Sequence, residues 1–185
     1  AVGSWRHEDA GGDLCEIVET ASGTLWIALG DASTRGLRAG MLSTLLSGAL
    51  RAAVETAPAS SPGRLLQAMD DVLLRYTESV GWEQTFVALR LLRLAPDGTL
   101  AYAGAHEEML LLRADDDGAE VLDWRGAFCG LGISGEVDDP DGRARLAHGD
   151  TLVLVSDGVL AAADEGGRLF GSERVSRVAR DARGQ

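Results

Sequence analysis

The sequence predicts an α+β domain, with two helices set between runs of hairpin-linked strands. Three observations carry this reading. Helical periodicity occupies two neighbouring stretches, residues 42–53 and 65–76. Short apolar runs separated by Asp-Gly pairs follow, the pattern of antiparallel hairpins. Helices grouped together, rather than alternating with strands, argue against a doubly wound βαβ sheet.

Taken in order, Thr24 to Leu29 is a short apolar run that ends at Gly30-Asp31 and reads as a buried strand. Leu42, Leu45, Leu46, Ala49, Leu50 and Ala53 recur on one face of a helix. Ser61-Pro62 opens the next helix, with Ser as cap and Pro at the first helical position. Its apolar face is Leu65, Leu66, Met69, Val72, Leu73 and Tyr76. Phe86 to Leu94 is a strand with Arg90 and Arg93 interleaved, and it turns at Pro96-Asp97-Gly98 into Thr99 to Tyr102. Met109 to Leu112 and Ala119 to Leu122 flank the Asp117-Gly118 turn. Thr151 to Ser156 is a further buried strand ending at Asp157-Gly158, and a last helix runs from about Glu173 to Ala182.

The composition fits one soluble globular domain. Hydrophobic residues make up 45% of the 185 positions and charged residues 25%. There is no internal repeat, no linker longer than a loop, and no run near the roughly 20 apolar residues that span a bilayer. Ala1 to Asp9 lacks the basic and apolar regions of a signal peptide. Seventeen basic against 29 acidic side chains give a net charge of −12, a field opposed to nucleic-acid backbones and anionic membranes. Every basic side chain in that count is arginine, which has no functional reading. Cys15 and Cys129 form no CxxC pair and read as partly buried thiols of a reduced, cytoplasmic protein.

Three aspartates stand out by context. Asp13 follows Gly11-Gly12 and precedes the apolar segment Leu14 to Val18. Asp31 ends one apolar strand and Asp157 another. A carboxylate at the end of a core strand has a rigid backbone and a side chain free to reach a cleft. Several that converge repel one another unless cations neutralise them, and such hard oxygen ligands suit Mg²⁺ or Mn²⁺. Taken singly, each Asp reads first as a turn residue, since Asp97-Gly98, Asp117-Gly118 and Asp141-Gly142 show how common such turns are here.

Motif order adds to this. Gly11-Gly12-Asp13 is followed by Gly30-Asp31-Ala32-Ser33-Thr34-Arg35-Gly36 and then by a helix of small and aliphatic residues. Next come Gly104-Ala105-His106-Glu107, Gly130-Leu131-Gly132-Ile133, the segment His148 to Val159 and Gly167-Arg168-Leu169-Phe170-Gly171. The series resembles the SpoIIE/RsbU branch of the metal-dependent type-2C (PPM) protein serine/threonine phosphatases, from about Asp9 to Val175. The resemblance implies a four-layer α-β-β-α sandwich of two antiparallel sheets flanked by helices. It puts two Mn²⁺ or Mg²⁺ ions on Asp13, Asp31, the Ala32 carbonyl and Asp157, with Asp31 between them. The implied chemistry is hydrolysis by water activated between two cations, without a covalent intermediate.

Departures from the family pattern are plain. Thr34 stands where a glycine is usual, while Gly36 is kept. Ser33 occupies the position at which eukaryotic relatives carry a candidate general-acid His, leaving the proton donor unassigned. The family's terminal Asp-Asp-x-Thr strand does not occur before Gln185, so residues 1–185 are expected to be a single catalytic domain without that strand and without part of its first strand. Arg35 and Arg38, beside the metal turn, are candidate substrate-binding residues, with a solvated helix start as the equal alternative. His106 reads mainly as part of a structural turn, His7 and His148 as surface or turn residues, and the four Trp as packing.

The function implied is removal of phosphate from phosphoserine or phosphothreonine on a bacterial regulatory protein, a STAS-domain anti-anti-sigma factor. The alternative is a degenerate phosphatase domain that binds a phosphoprotein or senses a signal. A hydrolase of small phosphate esters fits less well, since the sequence carries no P-loop. Nucleic acid and direct membrane contact are not expected, and a homodimer or an attached sensor domain fits the family.

Overall fold

A computed structural model describes residues 12–82, 85–116, 118–123, 130–132 and 141–182. Several residues named above lie outside the described residues: Trp5, His7, Gly11, Asp117, Trp124, Cys129, Ile133 and the stretch read for a leader. The elements are β1 (Leu14–Glu19), β2 (Leu25–Ala32), α1 (Gly36–Thr56), α2 (Pro62–Ser79), β3 (Val87–Leu94) and β4 (Thr99–Ala103). They continue with β5 (Met109–Leu112), β6 (Ala119–Leu122), β7 (Gly142–Arg145), β8 (Thr151–Leu154), α3 (Asp157–Leu160) and α4 (Gly171–Ala182). All strand pairs are antiparallel, in a five-stranded sheet ordered β1-β2-β3-β4-β7 and a three-stranded sheet ordered β6-β5-β8.

The two faces of the larger sheet follow from its period of two. Trp26, Ala28, Gly30 and Ala32 of β2 are buried opposite Arg93, Leu91, Leu89 and Val87 of β3. Glu16, across from Ala28, accepts hydrogen bonds from Ser47 and Arg51 of α1, so this face meets the helices. The opposite face meets the smaller sheet: Arg90 donates to the His106 carbonyl at 2.8 Å and Tyr102 to the Asp123 carbonyl at 3.4 Å. The outer face of the smaller sheet, at Leu110 and Val121, looks across a cleft of about 440 Å³ to Ser176, Arg177 and Arg180 of α4. The layers therefore run α-β-β-α. No helix among the described residues is long and apolar enough to cross a membrane.

Several element readings need correction. The buried stripe of α1 is Ala39, Leu42, Leu46, Leu50 and Val54, while Leu45, Ala49 and Ala53 are only partly buried. On α2, Ser61 caps as expected by accepting from the Arg64 N–H, but Val72 is 38% exposed because it lies off the Leu66–Met69–Leu73 stripe. Phe86 is also 38% exposed, and β3 begins after it. The strand read as Thr151 to Ser156 stops at Leu154 and is half-buried throughout, since β8 is an edge of its sheet. Asp157 therefore opens a short helix rather than ending a strand. Gly142, read as a turn residue, starts β7 opposite Tyr102, whose ring occupies the place a Cβ would need. Cys15 is exposed, because it lies on the open side of edge strand β1. His148 sits in an exposed turn, as expected, and Trp26 is core.

Candidate metal centre

Asp13 immediately precedes β1, Asp31 is the penultimate residue of β2, and Asp157 opens α3 three residues after the end of β8. β1 and β2 are antiparallel, so the start of one and the end of the other lie together; Leu14 is opposite Gly30. β8 delivers Asp157 to the same end from the second sheet. One carboxylate oxygen of each acid lies within 4.8 Å of the other two. Asp13 and Asp157 are exposed and Asp31 is half-buried.

Glycine makes this approach physically available. A Cβ on Gly12 would stand 2.6 Å from Asp31 Oδ1 and 3.0 Å from the Ala32 carbonyl oxygen, so a side chain there would fill the cradle. The Gly12 carbonyl is held by the Ala32 N–H at 3.3 Å and the Ser43 hydroxyl at 3.1 Å. Ser156 donates to Asp13 Oδ2 at 3.4 Å. Gly36 has a φ of +66°, a left-handed conformation that opens α1 directly after the turn. These supports are invisible to motif reading, because Ser43 and Ser156 are only polar residues beside apolar ones in the sequence.

The electrostatics favour a cation. Burial, then the charges of Asp13 and Asp157, push the Asp31 carboxyl above the ordinary range, with the Ala32 N–H pulling the other way. The Asp13 and Asp31 carboxyls are close enough to share a hydrogen bond. Among the described residues, none of the three is ion-paired to an arginine. Three hard oxygen donors in mutual repulsion, with a backbone carbonyl beside them and no organic cation, fit a divalent ion of the Mg²⁺ or Mn²⁺ kind.

The other candidates divide. The Ser33 hydroxyl is occupied by the backbone: it accepts from the Phe86 N–H at 3.0 Å, while the Ser33 N–H donates to the Phe86 carbonyl at 2.9 Å. Arg35 is the N-cap residue of α1 and exposed; Arg38 is exposed, with its guanidinium 4.9 Å over the Trp82 ring. Neither touches the three acids. His106 is half-buried, its Nδ1 is without a partner among the described residues, and burial and then Arg90 push its pKa down while Asp157 and Asp13 oppose that. It lies within the field of the acidic cluster.

A two-sheet α-β-β-α sandwich is shared with solved phosphatase domains. The SiaA-PP2C domain of Pseudomonas aeruginosa matches at 28% identity and a TM-score of 0.73, over 92% of this chain and 66% of that one. The RsbU and RsbW domains of a Mycobacterium tuberculosis protein match at 24% identity and a TM-score of 0.74, over 96% of this chain and 48% of that one. The phosphatase domain of SpoIIE from Bacillus subtilis matches at 17% identity and a TM-score of 0.55, over 92% of this chain and 69% of that one. The fold is thus that of a type-2C phosphatase domain, and the chain spans about two thirds of the first of these structures and half of the second. The family model of stage II sporulation protein E (SpoIIE) matches residues 21–185, and the chain belongs to that family. A search of the curated proteins gave no match.

Proposed function

We propose that this domain is a metal-dependent protein serine/threonine phosphatase. The observation that carries the reading is the convergence of Asp13, Asp31 and Asp157 within 4.8 Å at one end of a type-2C fold. In this reading Asp13, Asp31, the Ala32 carbonyl and Asp157 would hold two Mn²⁺ or Mg²⁺ ions, with Asp31 as the least exposed of the three acids. Bound divalent cations supply charge neutralisation at phosphorus and activation of water. The chain's own groups do the positioning. Ser156 orients Asp13, and Gly12 leaves the cradle open. Arg35 and Arg38 meet the anionic substrate at the cluster's rim.

The substrate proposed is phosphoserine or phosphothreonine on a regulatory protein, a STAS-domain anti-anti-sigma factor in the cytoplasm. Membership of the SpoIIE family and likeness to an RsbU domain support that choice. Residues 1–185 are read as one catalytic unit. The test is hydrolysis of an aryl phosphate and of a phosphoserine peptide with added Mn²⁺ or Mg²⁺. Asp31→Asn is expected to lower kcat/KM by about a hundredfold or more, as removal of a central ligand does. Metal-independent turnover, or full activity in Asp31→Asn, contradicts the proposal. Phosphopeptide binding without any turnover favours a binding module.

A further inference from the structure

Resting on the phosphatase reading, we infer that His106 contacts the substrate, donating a hydrogen bond from Nε2 to its phosphoryl group, and that buried Arg90 is the positioning residue that holds His106 there. Register brings both residues to the end of the sheets that carries the acids. In the smaller sheet Met109 pairs with Leu154. His106 lies three residues before Met109 and Asp157 three residues after Leu154, so both lie beyond the same end of that antiparallel pair. In the larger sheet Asp31 stands opposite Ala88, and Leu29 opposite Arg90. The strand period of two puts Asp31 and Arg90 on one face, diagonal neighbours a single pleat apart. From that face Arg90 Nη2 donates to the His106 carbonyl at 2.8 Å. Gly104, with a φ of +96°, seats the same turn on β3, where a Cβ would collide with the Leu89 carbonyl oxygen. The charges of Asp157 and Asp13 both reach the imidazole.

Arg90 is costly where it stands. It is 4% exposed, its Nε and Nη1 are buried without a hydrogen-bond partner among the described residues, and its Nη2 is spent on the His106 carbonyl. An apolar side chain of similar length would fill that place at less cost. What the guanidinium supplies instead is a fixed turn and a fixed tautomer. His106 Nδ1 is buried and has no partner among the described residues. Burial, then the charge of Arg90, favours the uncharged ring. A positive charge beside a buried ring nitrogen also favours a lone pair there over an N–H, which leaves the proton on Nε2. The ring is then a neutral N–H donor at the rim of an acidic cluster. Such a donor adds a hydrogen bond to a phosphoryl oxygen and leaves the carboxylates free for cations, whereas an arginine in its place would pair with them.

The test separates contact from packing. Binding of phenylphosphonate, which has no ester bond to hydrolyse, is measured by calorimetry in saturating Mn²⁺ alongside turnover of an aryl phosphate. His106→Ala is expected to weaken phosphonate binding and to lower kcat/KM, each about tenfold to a hundredfold, the range for a hydrogen bond to a charged group, with Mn²⁺ affinity unchanged. His106→Gln places an amide N–H near the Nε2 position and should recover most of the loss. His106→Asn reaches only to the Nδ1 position and should not. Arg90→Met should keep or raise Tm while phosphonate binding falls about tenfold, the reverse of what loss of a merely structural residue does. Unchanged phosphonate affinity in His106→Ala overturns the inference, even if the aryl phosphate is hydrolysed. So does equal recovery by Gln and Asn. An Arg90→Met protein that melts lower or fails to fold assigns Arg90 to the fold and strikes it from the proposal, and the His106 variants then decide the rest. Phosphonate binding that depends on His106, with no turnover of any ester, upholds the contact and removes the phosphatase reading alone. An unaltered protein that neither binds the phosphonate nor turns over an ester overturns both.

Discussion

The half of the molecule built on the five-stranded sheet is packed differently from the half built on the three-stranded one. In the first, α1 and α2 cover the sheet with fully buried Leu42, Leu46, Leu50, Leu66 and Leu73 against Trp26, Leu89 and Leu91. In the second, β8 has no fully buried residue, and α4 buries only Val175 while it borders the 440 Å³ cleft. The acidic cluster straddles both, with Asp13 and Asp31 on the firm half and Asp157 on the loose one. Rigidity on one side and looseness on the other make ligand binding a cross-link between halves, and a ligand that orders the loose half spends part of its affinity there.

The sharpest break of this comparison is a core truncation in each half. Leu46→Ala is expected to cost about 2–5 kcal/mol, since a fully buried Leu leaves both a transfer loss and a cavity. Val175→Ala, two methyl groups smaller at 6% exposure, is expected to cost about 1–2 kcal/mol. Denaturant unfolding checks both. Equal costs would mean the α4 layer is as integral to the fold as the α1–α2 layer. Native-state hydrogen exchange should show α4 and β8 opening with less free energy than β2 and β3.

Next in size is the cation effect. Mn²⁺ at about 100 times its Kd is expected to stabilise by roughly 2.7 kcal/mol, a rise of about 5–10 °C in Tm for a domain of this size. Exchange protection should rise in β8 and α3 as well as in β2. Asp157→Asn should keep a smaller shift on the β2 side and lose the gain in β8 and α3. A gain confined to β1 and β2 in the unaltered protein would show that the two halves are not joined through the ion.

How much of this was legible in the sequence divides along the same line. Elements of the firm half announce themselves, because helices buried on one face repeat Leu at i, i+4 and i+8, and Ser61-Pro62 marks a helix start. β7 was missed because its half-buried residues are small, Gly142 against the Tyr102 ring and Ala144 opposite Leu100, and its Arg143 and Arg145 are exposed. No local hydrophobic signal remains in such a strand. The end of β8 was overrun because Val155-Ser156 continues the apolar pattern while the backbone turns to cap α3. Asp13, Asp31 and Asp157 were found through motif order and not through spacing. Their convergence depends on the antiparallel register of β1 with β2 and on the second sheet's placement, neither of which is local. Phe86 was read as an ordinary member of a strand, since exposure is a tertiary property.

A smaller effect tests the loose half by acid. Asp150 Oδ1 accepts from the Ala114 N–H and Oδ2 from the Ala147 N–H, each at 2.9 Å, and Oδ2 also pairs with Arg113. The backbone N–H groups of Ala147 and Ala114 hold its pKa below the usual carboxylate value, against the opposing effect of burial and with further help from Arg113. A depressed folded-state pKa stabilises above the unfolded value of about 3.9 and is lost as pH falls through the folded value. Asp150→Asn should therefore be less stable than the unaltered protein at pH 7, and the gap should narrow below about pH 4. A gap independent of pH would assign the loss to shape rather than to charge.

The smallest expected effect lies back in the firm half, at the ion pair between α1 and β1. Arg51 meets Glu16 at 2.5 Å, and Ser47 meets the other oxygen of Glu16 at the same distance. The arginine side chain is 58% exposed and that of Glu16 is 18% exposed. Water and salt screen such a pair, and holding a long arginine still costs side-chain entropy. Arg51→Ala is expected to cost less than about 1 kcal/mol, and less again at high salt. Glu16 keeps the Ser47 hydroxyl in that variant, so no bare buried charge is created. The Mn²⁺-induced rise in Tm should be unchanged, because β1 is also held to β2 along Leu14 to Glu19 and Asp13 keeps its place. A loss above about 2 kcal/mol, or a weakened response to Mn²⁺, would place Arg51 in the mechanical support of the acidic cluster. The firmness of this half would then depend on a charged clamp at the rim as well as on the leucine seam beneath it.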